Sequence, residues 1–251
     1  MHAVILAAGR GSRLGALTDE RPKCLVELDG RSLLDRQLDV LRQAGATEIA
    51  AVTGYRADQV AAHVPTAFQA PRWHETNMVV SLTAARDWLS SAACLVAYGD
   101  IFYTAATAER LLRTEGDELA VAYDPDWLRL WSLRFEDPLD DAESFRMTPD
   151  GRLLEIGRTP HRVEDVQGQY MGLLRFTPRS WAAVEDHLVR LDPPRRDALD
   201  MTSLLQALIE TGETVRAVAR TGEWGEIDSP SDLAVYQGRL AAVGQQHSDL
   251  T

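Results

Sequence analysis

Short apolar runs alternate along this chain with longer segments whose apolar side chains recur every three or four positions. The short runs are typical of buried β-strands and the longer segments of amphipathic helices. Strands are predicted at 3–7, 48–53, 94–98, 119–123, 166–176 and 215–219. Because strands and helices alternate, we expect an α/β fold with a mainly parallel, mixed sheet and helices packed on both faces.

The same pattern predicts helices at 32–43, 57–63, 78–89, 105–113, 178–191, 200–212 and 229–243. Residues 124–165 depart from this alternation: residues 132–136 alternate as a strand would, and Pro149-Asp150-Gly151 marks a tight turn between two further strands. We therefore expect one domain over 1–243, with an excursion at about 124–165 that binds a ligand or forms a lid. Residues 244–251 are predicted to be a frayed polar tail.

The first strand runs directly into a loop of small residues that includes Gly9 and Gly11. Such a loop lets backbone N–H groups approach a phosphate closely, because few side chains block the approach. Arg13 and Lys23 follow and can bind phosphate oxygens. Leu14 stands where a Rossmann fingerprint would place its third glycine, and no Walker A sequence is present. The alternative is that the two glycines only form a tight turn.

Two carboxylates are candidate metal ligands. Asp100 follows the predicted strand at 94–98, next to Gly99, and ligands of such sheets bind beyond the carboxyl ends of the strands. Asp228 precedes the last helix, and Glu226 would face the same side of a strand. The alternatives are a turn residue at Asp100 and a helix cap at Asp228.

Asn77 and Ser81 lie four positions apart and would share one helix face. We expect them to hydrogen bond to a base or a ribose. An Asn cap with an outward-facing Ser is an equally good interpretation of the same residues.

The site for a second small molecule, here called the acceptor site, has two competing interpretations. An aromatic wall would bind a quaternary ammonium by cation–π attraction, or the same rings would simply pack in the core. The rings are those of Tyr123, Trp127, Trp131 and Tyr170. A group of arginines would instead bind an anionic acceptor. These are Arg129, Arg134 and Arg158.

Composition and net charge narrow the classes of molecule that this protein is expected to bind. The net charge is −12 and the pI about 4.9, which argues against nucleic acid and anionic membranes as partners. Cys24 and Cys94 lie in apolar stretches and are expected to be buried free thiols. No apolar run is long enough to cross a membrane, and the first strand begins at once, so we expect a cytoplasmic protein. The sequence does not indicate an oligomeric state.

G-R-G-S-R at 9–13, followed by R-P-K-C-L-V-E-L at 21–28, resembles the signature loop of the nucleotidyltransferases. The resemblance implies a single Rossmann-like nucleotidyltransferase domain in which Arg13 and Lys23 hold the triphosphate and act in catalysis. Y-G-D at 98–100 and W-G-E-I-D-S-P-S-D-L at 224–233 are similar to the two metal-carboxylate positions of that family. This implies that Asp100 and Asp228 share Mg²⁺.

A narrower resemblance points to the cytidylyltransferases that act on choline phosphate or on phosphonates. It is carried by W-H-E-T-N-M-V-V-S-L at 73–82, G-Q-Y-M-G-L at 168–173 and D-M-T-S-L-L at 200–205. It implies transfer of CMP from CTP to a small phosphorylated or phosphonate acceptor, with release of pyrophosphate. The alternatives are a sugar-1-phosphate nucleotidyltransferase that uses UTP or dTTP, and a catalytically silent regulatory protein that binds a nucleotide.

On this resemblance the site residues fall into two further groups. The predicted nucleotide-binding residues are Leu6, Ala7, Ala8, Gly9, Gly11, Ser12, Asn77, Ser81 and Gly99. The predicted acceptor-binding residues are Arg129, Trp131, Arg158 and Tyr170. Arg158 stands where related enzymes tend to carry a lysine, which keeps the charge but changes its geometry.

Overall fold

The computed structural model describes the backbone of residues 1–248 and the side chains of residues 1–239. The strands are β1 (His2–Ala7), β2 (Glu27–Leu28), β3 (Arg31–Ser32), β4 (Glu48–Thr53), β5 (Thr66–Gln69), β6 (Cys94–Tyr98), β7 (Ile101–Phe102), β8 (Leu119–Asp124), β9 (Phe145–Met147), β10 (Leu153–Ile156), β11 (Gln169–Phe176), β12 (Val215–Ala219) and β13 (Gly225–Glu226). The helices are α1 (Leu33–Gln43), α2 (Ala57–Ala61), α3 (Met78–Leu82), α4 (Arg86–Ser91), α5 (Ala105–Leu112), α6 (Trp127–Arg134), α7 (Pro178–Arg190), α8 (Pro193–Ala198), α9 (Met201–Glu210) and α10 (Pro230–Ser248).

A seven-stranded sheet forms the centre of the molecule, in the order β12-β8-β11-β6-β1-β4-β5. All neighbouring pairs are parallel except those of β11, which runs antiparallel to both β6 and β8. Three short two-stranded pairs lie outside this sheet: β2 with β3, β7 with β13, and β9 with β10. The predicted mixed, mainly parallel sheet is confirmed.

The core has two layers, one on each face of the sheet. Successive residues of a strand point to opposite faces, and in β1 this places Ile5 in one apolar cluster and Val4 in the other. The first cluster is closed by α1, α5, α6 and α10, and the second by α3, α4, α7 and α9. Helices therefore cover both faces, as the alternation of strands and helices predicts.

Parallel pairing brings the ends of β1 and β6 to the same edge of the sheet. Leu6 pairs with Tyr98, so the loop after β1 lies beside Gly99 and Asp100. The Gly99 N–H donates to the Leu6 carbonyl at 2.9 Å, and a Cβ on Gly99 would lie 2.6 Å from that oxygen. Glycine is required here because the two chain segments approach so closely.

The excursion at 124–165 differs from its prediction in one element. Residues 132–136 were expected to alternate as a strand, but the chain forms α6 over Trp127–Arg134. Trp127, Leu130 and Trp131 are buried at helical spacing, so the apolar period of 3–4 outweighs the short alternation. The predicted hairpin around residues 149–151 is confirmed as β9 and β10.

Two helix boundaries also differ. The predicted helix at 78–89 is divided into α3 and α4 by a 3-10 turn at Thr83–Ala85. The last helix extends to Ser248, beyond its predicted end at 243, and the final residues 249–251 of the predicted polar tail lie outside the described part of the chain. Among the described helices, none is both long and apolar enough to cross a membrane.

Candidate active site

Two pockets meet at Asp100, at the edge where β1 and β6 end. The loop pocket has a volume of about 240 Å³ and is lined by Leu6, Ala7, Ala8, Gly9, Gly11, Lys23, Cys24, Trp73, Thr76, Asn77, Met78, Ser81, Tyr98, Gly99 and Asp100. The acidic pocket has a volume of about 310 Å³ and is lined by Arg13, Met78, Tyr98, Asp100, Asp141, Glu143, Gln169, Tyr170, Met171, Gly172, Asp200, Met201, Thr202, Glu226 and Asp228. Of the nine predicted nucleotide-binding residues, eight line the loop pocket. Ser12 is exposed and lines neither pocket.

Lys23 lies where the two pockets join. Its Nζ donates to Asp100 Oδ2 at 2.6 Å and also to Asp228 Oδ1. The preceding loop packs directly on its side chain: a Cβ on Gly11 would lie 2.6 Å from Lys23 Cβ, and Gly11 has φ +74. Both the close contact and the left-handed backbone require glycine. The loop therefore holds the lysine stem in place.

The acid cluster consists of Asp100, Glu226 and Asp228, whose ligand atoms lie within 4.8 Å of one another. Backbone pairing brings these distant residues together. β13 runs antiparallel to β7, and the Ile227 N–H donates to the Asp100 carbonyl at 3.0 Å. The cluster therefore depends on a two-residue strand pair at the edge of the main sheet.

Charges in this cluster shift the acidity of its members. Burial alone would lower the pKa of Lys23, but the carboxylates of Asp100 and Asp228 raise it well above its ordinary value. Burial would raise the pKa of Asp228, but a hydrogen bond with Glu226 and the Lys23 charge lower it to about 2. Burial, with the charges of Asp228 and Asp100, raises the pKa of Glu226 well above its ordinary value. At neutral pH, Lys23 is charged and Asp228 is ionised.

The donor set fits a hard divalent cation. Carboxylate oxygens are the ligands that Mg²⁺ prefers, usually one or two of them together with substrate phosphates. Asp100 Oδ1 is buried and has no hydrogen-bond partner among the described residues, so one carboxylate oxygen of the cluster is unused by the protein. Arg13 reaches the same cluster from solvent, with Nη2 2.8 Å from Asp228 Oδ1.

Asn77 is confirmed as a helix cap, and its predicted contact with a base or ribose stays a prediction. Its Oδ1 caps α3 by accepting the Met78 N–H at 2.7 Å, while its Nδ2 donates to the Ala198 carbonyl at 3.2 Å. It also lines the loop pocket. Ser81 is buried, lies one helical turn further on and lines the same pocket, so the outward-facing alternative for Ser81 is wrong.

Negative charge dominates the acidic pocket. Six of its lining residues carry a carboxyl group: Asp100, Asp141, Glu143, Asp200, Glu226 and Asp228. Arg13 is the one lining residue with a basic side chain among those described. Burial and the charge of Asp200 raise the pKa of Glu143. Gln169 Oε1 is buried beside this pocket without a hydrogen-bond partner among the described residues, so it is available to a donor.

Most of the predicted acceptor residues lie elsewhere. Trp131 is fully buried and stacks on Trp224 at 5.9 Å, so the prediction that it contacts an acceptor is wrong. Trp127 is also a core residue, and its Nε1 donates to the Val166 carbonyl. Of the aromatic wall, Tyr170 lines the acidic pocket and Tyr123 does not.

The three arginines of the anionic interpretation each lie outside the two pockets. Arg158 is 62% exposed and faces Glu155 and Glu210. Arg129 is exposed on α6, and Arg134 is buried against Asp232. None of these three arginines lines either pocket.

Two pocket residues carry no local signal in the sequence. Asp141 and Glu143 lie two positions apart on one segment, and only the fold brings that segment to Asp200 and the acid cluster. Trp73 is different, because it is the first residue of the W-H-E-T-N segment. Gly54 gives its ring room, since a Cβ on Gly54 would lie 2.5 Å from the Trp73 ring. Composition also singles out Lys23 as a site residue, because it is the chain's only lysine, beside 25 arginines.

The chain is similar to several known proteins. Residues 3–131 match the MobA-like NTP transferase domain. The chain is 36% identical to a CTP:phosphoglutamine cytidylyltransferase of Campylobacter jejuni, over 94% of this chain and 98% of that protein. It is 27% identical to the UTP–glucose-1-phosphate uridylyltransferase AglF of Haloferax volcanii, over 96% of both. The fold is shared with an inositol-1-phosphate CTP transferase from T. maritima (TM-score 0.76, 20% identity, 94% and 93% covered). The resemblance read from the loop motif is thus confirmed, and the chain belongs to the MobA-like NTP transferase family.

Proposed function

We propose that this protein transfers CMP from CTP to a small acceptor that carries a phosphate or phosphonate at one end and a positively charged nitrogen at the other. The observation that carries the proposal is the position of Lys23 between Asp100 and Asp228, where a pocket lined by a phosphate-loop sequence joins a pocket lined by carboxylates. The 36% identity to a cytidylyltransferase over nearly the whole chain supports CTP as the nucleotide.

In the proposed reaction, an acceptor oxygen forms a bond to the α-phosphorus of CTP. The bond between the α-phosphorus and its bridging oxygen breaks, and pyrophosphate leaves with that oxygen. An ionised phosphate or phosphonate needs no general base. The task of the protein is therefore to align the two reactants and to balance negative charge as it builds up.

Lys23 and Arg13 each have a role in the proposed reaction. Lys23 is charged at neutral pH and lies at the junction of the pockets, so its ammonium is positioned to stabilise the phosphates and the leaving pyrophosphate. Arg13 is 69% exposed and lies at the mouth of the acidic pocket, from which a planar guanidinium can bind two phosphate oxygens. The loop that contains Gly9 and Gly11 offers backbone N–H groups to the triphosphate.

Asp100, Glu226 and Asp228 are the residues that would hold Mg²⁺. The unused buried oxygen of Asp100 supports this assignment. A cation held there supplies positive charge to the α-phosphate and the triphosphate.

Charge complementarity supports a cationic acceptor. Asp141, Glu143 and Asp200 remain in the acidic pocket after the acid cluster is assigned to the cation. Tyr170 adds an aromatic ring to the same wall. An ammonium group is stabilised by both carboxylates and aromatic faces, whereas a second anionic group would be repelled.

A pyrophosphate-release assay tests the proposal. CTP, UTP, dTTP and GTP are each combined with Mg²⁺ and with phosphocholine, phosphoethanolamine, 2-aminoethylphosphonate, phosphoglutamine or glucose 1-phosphate. We expect the highest rate with CTP and an acceptor that carries a positively charged nitrogen. A preference for glucose 1-phosphate would contradict the acceptor class, and no release with any pair would contradict the enzyme activity.

A sugar-1-phosphate uridylyltransferase is the second candidate. The 27% identity to the Haloferax volcanii uridylyltransferase over 96% of both chains favours it. The acidic pocket argues against it, since a hexose offers no positive charge to the remaining carboxylates. A strong preference for UTP in the same assay would decide for this candidate.

A further inference from the structure

Arg134, the last residue of α6, is buried beneath the acid cluster. Its side chain has no exposed surface. The guanidinium carbon lies 4.7 Å from the ring centre of Trp131 and 5.0 Å from that of Phe135. Burying a charged group is costly unless partners compensate it. The position therefore needs an explanation beyond filling space, which an apolar side chain would do at lower cost.

The first partner of Arg134 is Asp232, near the start of α10. Arg134 Nε donates to Asp232 Oδ1 at 2.8 Å. The other oxygen of the same carboxylate accepts the backbone N–H groups of Asp228 at 3.0 Å and Ser229 at 2.9 Å. Asp232 thus joins the guanidinium to the backbone of a residue of the acid cluster.

The second partner is the cluster itself. Arg134 Nη1 lies 3.9 Å from Glu226 Oε2, and both Nη atoms are buried without a hydrogen-bond partner among the described residues. Lys23 and Arg13 reach the cluster from the pockets, whereas Arg134 has no exposed side-chain surface and approaches from beside the buried Trp131. It lines neither pocket and so does not touch a substrate.

We propose that Arg134 is a positioning residue that orients the acid cluster for cation binding. It fixes the backbone of Asp228 through Asp232, and it places a permanent positive charge against Glu226 from the side that substrates cannot reach. This inference rests on the proposed cation role of the cluster. Groups that orient metal ligands typically change metal affinity by roughly 10–100-fold when they are removed.

Direct binding of Mn²⁺ tests the inference without relying on turnover. Electron paramagnetic resonance measures free Mn²⁺ as the full chain is titrated with the metal in the presence of CTP, with a blank that holds CTP alone. We expect Arg134→Met to weaken Mn²⁺ binding by ~10-fold or more. Arg113→Met is the matched control, because Arg113 directly follows α5, is exposed, pairs with Glu109 and lines neither pocket.

A merely structural role for Arg134 predicts a different pattern. It would lower the unfolding temperature but leave Mn²⁺ affinity unchanged well below that temperature. Our account also predicts that Glu226→Gln reduces the effect of Arg134→Met, since part of that effect passes through Glu226. Arg134→Lys keeps the charge with a single donor group, and we expect it to fold and to bind Mn²⁺ with intermediate affinity. If Arg134→Met does not fold, the Mn²⁺ affinity of Arg134→Lys provides the test.

The outcomes separate this inference from the proposed function. If the wild type releases pyrophosphate and binds Mn²⁺, and the folded Arg134 variants bind Mn²⁺ equally well, the positioning role is wrong and the activity stands. If the wild type binds no Mn²⁺ in the presence of CTP, the cation role and this inference both fail. If Mn²⁺ binding weakens in the Arg134 variants while no nucleotide is consumed, the activity fails and the positioning role stands.

Discussion

The loop pocket and the acidic pocket share Asp100 but are built in different ways. Every residue of the loop pocket lies between positions 6 and 100, and many of them contribute backbone or small side chains. The acidic pocket gathers larger side chains from segments that are spread between positions 13 and 228. On the proposed function, nucleotide binding uses segments from the first 100 residues alone, whereas acceptor choice depends on segments from most of the chain that can vary independently.

The largest expected effect is at Lys23, where the two pockets join. We expect Lys23→Arg to lower kcat by ~10²–10³-fold although the charge is kept, because the larger, planar guanidinium cannot replace an ammonium that is held between Asp100 and Asp228. Steady-state kinetics with circular dichroism as the fold control measures this. Activity within a few-fold of the wild type would contradict the catalytic role of Lys23.

A smaller effect is expected where only the acidic pocket is changed. Asp200→Asn removes a charge from this pocket but can still cap α9, where the side chain accepts the Ser203 N–H. We expect the KM for an amine-bearing acceptor to rise by ~10-fold while the KM for CTP stays the same.

The matched control is Asp192→Asn, which changes the equivalent cap of α8 outside both pockets. The two KM values of this variant should stay at wild-type levels. Equal effects of Asp200→Asn on CTP and on the acceptor would contradict the division of roles between the pockets.

Crowded carboxylates in the acidic pocket should make stability depend on pH. Burial, with the charge of Asp200, raises the pKa of Glu143 above its ordinary value of 4.5. The folded protein then binds this proton more tightly than the unfolded chain does, so stability falls as the pH rises above about 4.5 towards the raised pKa.

Glu143→Gln removes the loss of stability that occurs as the pH rises. We expect it to raise Tm by roughly 2–4 °C at pH 8 and by less at pH 4.5, which corresponds to about 1 kcal/mol in a domain of this size. Differential scanning fluorimetry at the two pH values measures the difference. An equal rise in Tm at both pH values would mean that the pKa of Glu143 is not raised in the folded protein.

The smallest effect is expected at Arg158, which was predicted from the sequence to bind the acceptor. Its side chain faces Glu155 and Glu210 and lines neither pocket. We expect Arg158→Gln to leave kcat and both KM values within about twofold of the wild type, since changes to exposed ion pairs have small effects. A large rise in the acceptor KM would place Arg158 in the site.

The sheet and the loop pocket could be predicted from the sequence, whereas most of the acidic pocket could not. The sheet and the loop pocket are encoded by local patterns: apolar runs mark the strands, and the spacing from Gly9 to Lys23 marks the loop. Parallel pairing then fixes where Gly99 and Asp100 must lie, since β1 and β6 end at the same edge.

The acceptor side could not be predicted in this way. Trp131 and Arg134 carry residue types that suit an acceptor site, but their helical spacing turns them towards the core. Asp141 and Glu143 lie on one segment and Asp200 on a distant one, and they meet because the fold brings both segments to the first residues of β11. Residue type indicates possible chemistry, whereas burial and tertiary packing decide whether it is used.

The charge preference of the acceptor site is measured by kcat/KM with CTP for three acceptors of similar size, namely phosphoethanolamine, ethyl phosphate and phosphoglycolate. They place a positive, a neutral and a negative group at the end of the acceptor that faces the acidic pocket. The account predicts that phosphoethanolamine exceeds ethyl phosphate by ~10-fold or more and that phosphoglycolate is the poorest. Equal values for the three acceptors, or a preference for phosphoglycolate, would contradict it.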